Sequence, residues 1–347
     1  MKPFVYQNAE SFDQAVAAVD HESSMAVAGG TTMVDLMKLN VLTPQRLVHV
    51  RGVIDDQIQV GNDRLRIGAA CTMADLAEHE IVRTEMPVIR QSLILAATPQ
   101  IRNMATIGGN LLQQTRSTYF RHLDMTAEGP GTDAGGGGSE GGTGADTSLL
   151  AILGNAGRLV GLYAGDFAIP FSAFGGTLNL RGPDGPRSLS AADFYRPPTD
   201  TFQYTTALRP HELIESIELP RSAAMRNSFY FKVRERSSYA FALVSAAVGL
   251  EIHDGVVADC RVGLGGVGSI PWHAKAAEDI LRGHPPEDSR FETAADAALA
   301  DAQPPPGLEF KVPLAKRALV RALRQVRDHG PVSDQQLFAW QHGRGMA

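Results

Sequence analysis

Two short stretches gather residue types that can hold an anion without a cationic side chain. The first is AGGTT at residues 28–32. Gly29 and Gly30 let the backbone turn sharply and remove any Cβ that would block a ligand. Thr31 and Thr32 add hydroxyls, and the helix that follows opens with unpaired N–H groups. The second is ATIGGN at 105–110, where Thr106, Gly108, Gly109 and Asn110 again combine small residues with neutral donors. Neither stretch has the lysine of a Walker loop or the third glycine of a dinucleotide fingerprint. Each alone is compatible with a simple tight turn; as a pair they point to a diphosphate gripped from two sides.

Two further residues fit such a ligand. Asp166, in YAGDFA, can accept from ribose or ribityl hydroxyls, although an acidic turn residue reads the same way. Lys232, in FYFKVRERSS, places a positive charge beside an electron-rich ring or else runs its stem along a strand. Most other chemistries are excluded. There is no G-x-S-x-G, H-E-x-x-H or C-x-x-C, and the ten histidines are scattered. His49 and His273 read as packed or surface residues, and Arg234-Glu235-Arg236 as a solvated turn. Cys71 and Cys260, the only cysteines, cannot build a disulfide framework. A formal net charge of −6 carries no polyanion footprint, so nucleic acid and acidic membrane surfaces are not expected partners. No window approaches a membrane span, and MKPFVYQNAESF has no export-signal pattern. The expected location is cytoplasmic, or periplasmic if a partner's signal carries a folded complex out. Whatever chemistry the chain performs is expected to belong to a bound cofactor.

The elements that must position these residues read as α+β. KPFVYQ, MAVA and QRLVHV are strands separated by helices, the first helix capped by Ser11. This βαβαβ pattern predicts a small unit over about 1–55. From 56 to 222 the pattern gives a hairpin at Asn62-Asp63, a capping-box-like Thr72…Asp75 and a helix after Pro87. Strand-like SLLAILG and RLVGLY follow, then a hairpin at Pro183-Asp184-Gly185 and the strand LIESIELP. Residues 129–144 hold a glycine-rich run that reads as a flexible loop inside this region. A last unit over 228–330 shows a hairpin at Asp254-Gly255 and helical patterns at AKAAEDILRG and PLAKRALVRALRQVRDHG.

The pair AGGTTMVDLMK and PQIRNMATIGGNLLQQTR resembles the two FAD-pyrophosphate loops of the flavoprotein subunit of molybdenum hydroxylases. That family includes xanthine dehydrogenase, carbon monoxide dehydrogenase and the bacterial aldehyde oxidoreductases. The likeness continues through GDFA, ADFY, LRPHELIESIELP, FKVRERSSYAFALVSAAVGL and FKVPLAKRALVRAL, almost the whole chain. It implies a two-part FAD-binding domain of the vanillyl-alcohol-oxidase (PCMH) type, followed by a smaller α+β C-terminal domain. It implies that Val27, Ala28, Gly29, Gly30, Thr31, Thr32 and Met33 hold FAD from one side. Thr106, Gly108, Gly109 and Asn110 would hold it from the other. Arg116 and Asp166 are implied as further FAD contacts, Ile214 as the apolar residue beside the flavin and Lys232 as the lysine near it. No catalytic residue and no metal ligand are implied on this chain. A large molybdenum-cofactor subunit and a small [2Fe–2S] subunit are the implied partners, passing electrons through FAD to an acceptor that the sequence does not name.

One departure stands out. Aldehyde oxidoreductases of this family carry a cysteine after the Thr-Arg of the second loop and three more downstream, which bind a [4Fe–4S] cluster. Ser117 occupies that position here, and two distant cysteines cannot supply the ligands. FAD is therefore the only redox group expected on the chain. Two other readings remain open: a stand-alone flavin oxidase of the same fold, and a scaffold subunit that has lost its flavin.

Overall fold

The computed structural model describes residues 1–121, 147–197 and 206–341. The first unit is a three-stranded parallel sheet in the order β1-β3-β2, made of β1 (Val5–Asn8), β2 (Ser24–Val27) and β3 (Arg46–His49). Parallel neighbours need crossovers, and two short helices, Phe12–Ala18 and Met33–Lys38, provide them. The first begins where Ser11 Oγ accepts from the Gln14 amide at 3.1 Å. Its buried face of Phe12, Ala15 and Val16 packs on Val48 and Val50, and Leu213 from the next unit completes this small core.

The second unit is an antiparallel sheet in the order β4-β5-β8-β6-β7. Its strands are β4 (Ile58–Val60), β5 (Arg64–Gly68), β6 (Thr177–Gly182), β7 (Gly185–Ser190) and β8 (Leu213–Pro220). Leu65 and Ile67 alternate inward with Leu178, Leu180, Ile217 and Leu219, and join one apolar core with the helices Met73–Glu78 and Pro87–Ile94. Thr72 Oγ1 accepts from the Asp75 amide, but its hydroxyl donates to the Asp75 carboxylate at 2.6 Å. The shorter acid therefore bonds the hydroxyl, where a full capping box would return to the Thr72 backbone.

Residues 150–163 depart from the expected strands. Leu150 and Gly161 form a single bridge, and the amides of Ile152 and Leu153 both donate to the Val267 carbonyl. Gly154 and Gly157, at φ of 65° and 73°, turn the chain before a ladder can form. Their apolar run is buried against the last unit instead of forming a strand pair.

That last unit is antiparallel, in the order β12-β11-β10-β9. It comprises β9 (Ser228–Val233), β10 (Val244–His253), β11 (Val256–Gly265) and β12 (Trp272–His273). Asp254 and Gly255 both have positive φ, the geometry of a two-residue hairpin turn. The helix Lys311–His329 buries Ala315, Leu319, Ala322, Leu323 and Val326, spaced three and four apart. One continuous apolar core runs from Leu65 through Phe167 and Tyr230 to Leu323, so the second and third units share their interior.

Candidate functional site

The two glycine loops face one cavity of about 1040 Å³, lined by residues from all three units. β2 delivers the first loop to its wall: Val27, Ala28, Gly29, Gly30, Thr31, Thr32 and Met33 all contribute. Its glycines serve different purposes. A Cβ on Gly29 would lie 1.9 Å from the Met104 carbonyl oxygen, so this glycine lets the two loops touch. Gly30 has φ of +71°, and a Cβ there would meet only ordinary van der Waals neighbours, so the backbone turn sets the requirement. Among the described residues, the amides of Gly29, Gly30, Thr31, Thr32 and Met33 donate to no protein acceptor. They form a set of N–H groups at the cavity edge.

The second loop differs in kind. Its amides are spent on the fold: Ile107 donates to the Cys71 carbonyl, Gly108 to Ala69 and Asn110 to Thr106. Gly109 donates to Thr106 Oγ1 at 3.3 Å. Gly108 turns away from the cavity onto Ala69, whose Cβ lies 2.9 Å from any Cβ that could be added. What this loop presents to the cavity is side chain: Thr106 and Asn110, with Gly109 between them. Among the described residues, Asn110 Oδ1 is buried without a partner, while its Nδ2 touches the Met73 sulfur at 3.5 Å.

Asp166 lies on the wall at 7% exposure, and Lys232 does not reach it. The fully buried Lys232 Nζ donates to Asp166 Oδ2 at 2.8 Å and to the Leu95 carbonyl at 3.1 Å. Lys232 thus sits behind the wall as the buried partner of the carboxylate. Tyr230 donates to Asp166 Oδ1 at 2.7 Å and lies 2.9 Å from Ser245 Oγ. Burial, and then the Asp166 charge, push the Tyr230 phenol well above its ordinary range, so it remains a donor. Two of the carboxylate's acceptor positions are left for a ligand. Tyr230 and Ser245 escaped the sequence reading, yet residue 230 shares the strand alternation of Lys232, and Ser245 pairs with Lys232 across the ladder.

Ile214, 4% exposed, reaches the cavity from β8 beside a bulge. Asn179 pairs with Ser216 and Leu180 with Ile214, leaving Glu215 as the extra residue. Arg116 also lines the cavity, paired to Asp35 at 2.7 Å. Gln113, Leu208, Tyr239 and Phe241 also line the wall; they fall within the stretches that carry the family resemblance but were not singled out as site residues. Behind the cavity, Ser117 is buried and accepts from the Phe120 amide. The expected glycine loop, 129–144, lies outside the described residues.

Comparison with known proteins decides which group this architecture serves. Residues 2–222 match the FAD binding domain in molybdopterin dehydrogenase. Residues 229–326 match the CO dehydrogenase flavoprotein C-terminal domain. The chain belongs to the molybdopterin dehydrogenase flavoprotein family. The aldehyde oxidoreductase FAD-binding subunit PaoB of Escherichia coli (strain K12) is 36% identical to this flavoprotein over 94% of it and 99% of the relative. The carbon monoxide dehydrogenase medium chain of Afipia carboxidovorans is 27% identical over 93% and 96%. Among solved structures, a chain of the Cu,Mo-CO dehydrogenase superposes with a TM-score of 0.73 at 25% identity, covering 94% of this flavoprotein and 99% of that chain.

The residues fit FAD as the group held. Unsatisfied amides in the first loop, an orphaned buried Asn110 oxygen and a buried carboxylate with spare acceptor positions are what a diphosphate, its neighbouring hydroxyls and a polar ring edge require. No group of three or more metal-ligating side chains occurs among the described residues. Cys71 and Cys260 are buried, and burial pushes each thiol up to about 12, far from the thiolate a metal needs. No helix among the described residues is long and apolar enough to cross a membrane.

Proposed function

We propose that this chain is the FAD-binding subunit of a multi-subunit molybdenum-containing hydroxylase or dehydrogenase, working with a large molybdenum-cofactor subunit and a small [2Fe–2S] subunit. When bound, FAD supplies the redox chemistry, receiving electrons from the iron–sulfur partner and yielding them to an external acceptor. The chain's own residues bind and orient. The amides of residues 29–33 and the side chains of Thr106 and Asn110 take the diphosphate, and Asp166, paired with Lys232 behind it, accepts from the ligand. Ile214 gives the flavin an apolar neighbour, and Arg116 adds a positive charge. The observation that carries this reading is the meeting of both glycine loops on one cavity, with Gly29 against Met104 and the first loop's amides unpaired.

The full chain, purified with its partners under native conditions, is expected to be yellow with a flavin absorbance spectrum and to release FAD on denaturation. A colourless, folded preparation that takes up no FAD sinks the reading. In this reading substrate oxidation belongs to the molybdenum subunit, so the isolated chain is expected not to oxidise aldehydes or alcohols. Turnover by the chain alone would replace this reading with a stand-alone flavin oxidase.

A further inference from the structure

Asp35 stands on the helix that follows the first loop and lines the cavity. Its carboxylate is shared by two arginines from the segment beyond the second loop. Arg116 Nη1 donates to Oδ2 at 2.7 Å, and Arg121 Nη2 donates to Oδ1 and Oδ2 at 2.9 and 2.8 Å. On its other side the Arg116 guanidinium lies 5.2 Å from the centre of the Phe241 ring, which comes from the β9–β10 connection. Three stretches remote in sequence therefore meet at one guanidinium on the wall.

Among the described residues the charges of this cluster do not balance. Two cations share one anion, each arginine side chain about four-fifths buried at 22% and 19% exposure. Burial first, and then the like charge of Arg121, pull the Arg116 guanidinium below the ordinary arginine range, with Asp35 opposing them. Arginine still keeps its proton under such conditions. Among the described residues the cluster is short of a negative charge, and an anion in the cavity would supply it. Asp35 occupies one Arg116 nitrogen, and a guanidinium carries donors on three.

We propose that Asp35 is a positioning residue for the diphosphate of the bound dinucleotide, fixing the Arg116 guanidinium on the cavity wall while Arg121 supplies the unbalanced positive charge. The inference rests on the FAD reading and deepens it. A cradle whose loops are neutral gains a charged side that comes from the helix of one loop and the segment after the other. It also gives Phe241 a purpose, as the surface against which the guanidinium is held.

The test is FAD titration of the full flavin-stripped chain at low and high salt, with the unfolding midpoint of each flavin-free variant measured in parallel. Coulomb's law alone predicts that removing an acid beside an anion site tightens binding. Positioning predicts the opposite. Asp35→Asn is expected to weaken FAD binding by about tenfold, a factor in keeping with the loss of an oriented charge-assisted contact, with the flavin-free midpoint unchanged. Arg121→Met is expected to weaken binding several-fold and to flatten its salt dependence. Unchanged or tighter binding by Asp35→Asn overturns the proposal. So does a loss of affinity matched by an equal loss of flavin-free stability, or an unaltered affinity and salt slope in Arg121→Met should Asp35→Asn fail to fold. A wild-type chain that binds no FAD takes down the underlying reading as well, whereas normal wild-type binding with silent variants removes this inference alone.

Discussion

At the scale of single residues, the two glycines of the first loop make separable predictions. Gly29→Ala places a Cβ 1.9 Å from the Met104 carbonyl oxygen, a backbone atom that cannot step aside without moving the second loop. The expected outcome is a destabilisation of about 1–3 kcal/mol, as for other overpacked sites, together with loss of bound flavin. Thermal unfolding and the flavin absorbance of the purified variant check it. Gly30→Ala meets only the Val34 and Val27 methyl groups, at 3.5 and 3.8 Å, so its cost is the left-handed backbone alone, about 1–2 kcal/mol. Its flavin content is expected to fall less than that of Gly29→Ala. Reversal of that order would show that the touching of the loops is not what shapes the cradle. The sequence reading gave both glycines one purpose, because no local signal distinguishes a turn from a contact with residues 75 positions away.

At the scale of elements, β9 and β10 form the wall behind the ligand. Lys232, Tyr230 and Ser245 converge on Asp166 because alternate residues of one strand share a face and Ser245 lies opposite Lys232 in the ladder. Lys232→Met removes the partner of a carboxylate that is 7% exposed, and the expected loss of stability is about 3–5 kcal/mol. The double variant Lys232→Met with Asp166→Leu is expected to recover much of that stability and none of the flavin binding. Denaturant unfolding and flavin titration, run on both variants, distinguish structural pairing from ligand contact. Lys232 was legible in the sequence as a lysine near a ring, but its burial behind Asp166 was not. A strand lysine can snorkel or turn inward, and only the carboxylate delivered by a distant turn decides between them.

At the scale of the whole molecule, the first unit is tied to the second by a few contacts across the cavity's edge. His21 Nε2 lies 2.7 Å from the Glu212 carbonyl oxygen, which can only accept, so this nitrogen carries the proton. Glu212 is in turn gripped by Arg187 at 2.6 Å through both oxygens. Burial lowers the His21 imidazole below 6.5, outweighing the carbonyl and Asp20, which favour its charged form. In the window below 6.5 the unfolded chain binds the proton that the folded one refuses. Stability from this group is complete above that value and is lost as pH falls. His21→Gln is therefore expected to flatten the pH dependence of the unfolding midpoint between about pH 7 and about pH 5, measured by thermal unfolding. An unchanged slope would remove His21 from the pH response of the contact between the first and second units.

What the sequence determined by itself is local. Ser11 and Thr72 as helix caps, the hairpin turns at Asp254-Gly255 and Pro183-Asp184, and the inward alternation of β5 and β8 follow from hydrogen bonds and steric limits that act within a few residues. The two glycine loops were visible for the same reason, and the cysteine count alone bounded the metal chemistry. Only the tertiary structure decided that the second loop spends its amides on Ala69 and Cys71, leaving the first loop as the backbone donor. It alone bent 150–163 away from a strand and brought Asp35, Arg116 and Phe241 to one point. A hydrogen-bond donor is free or spent according to what folding places opposite it, and the partners in question lie tens to more than a hundred residues away along the chain.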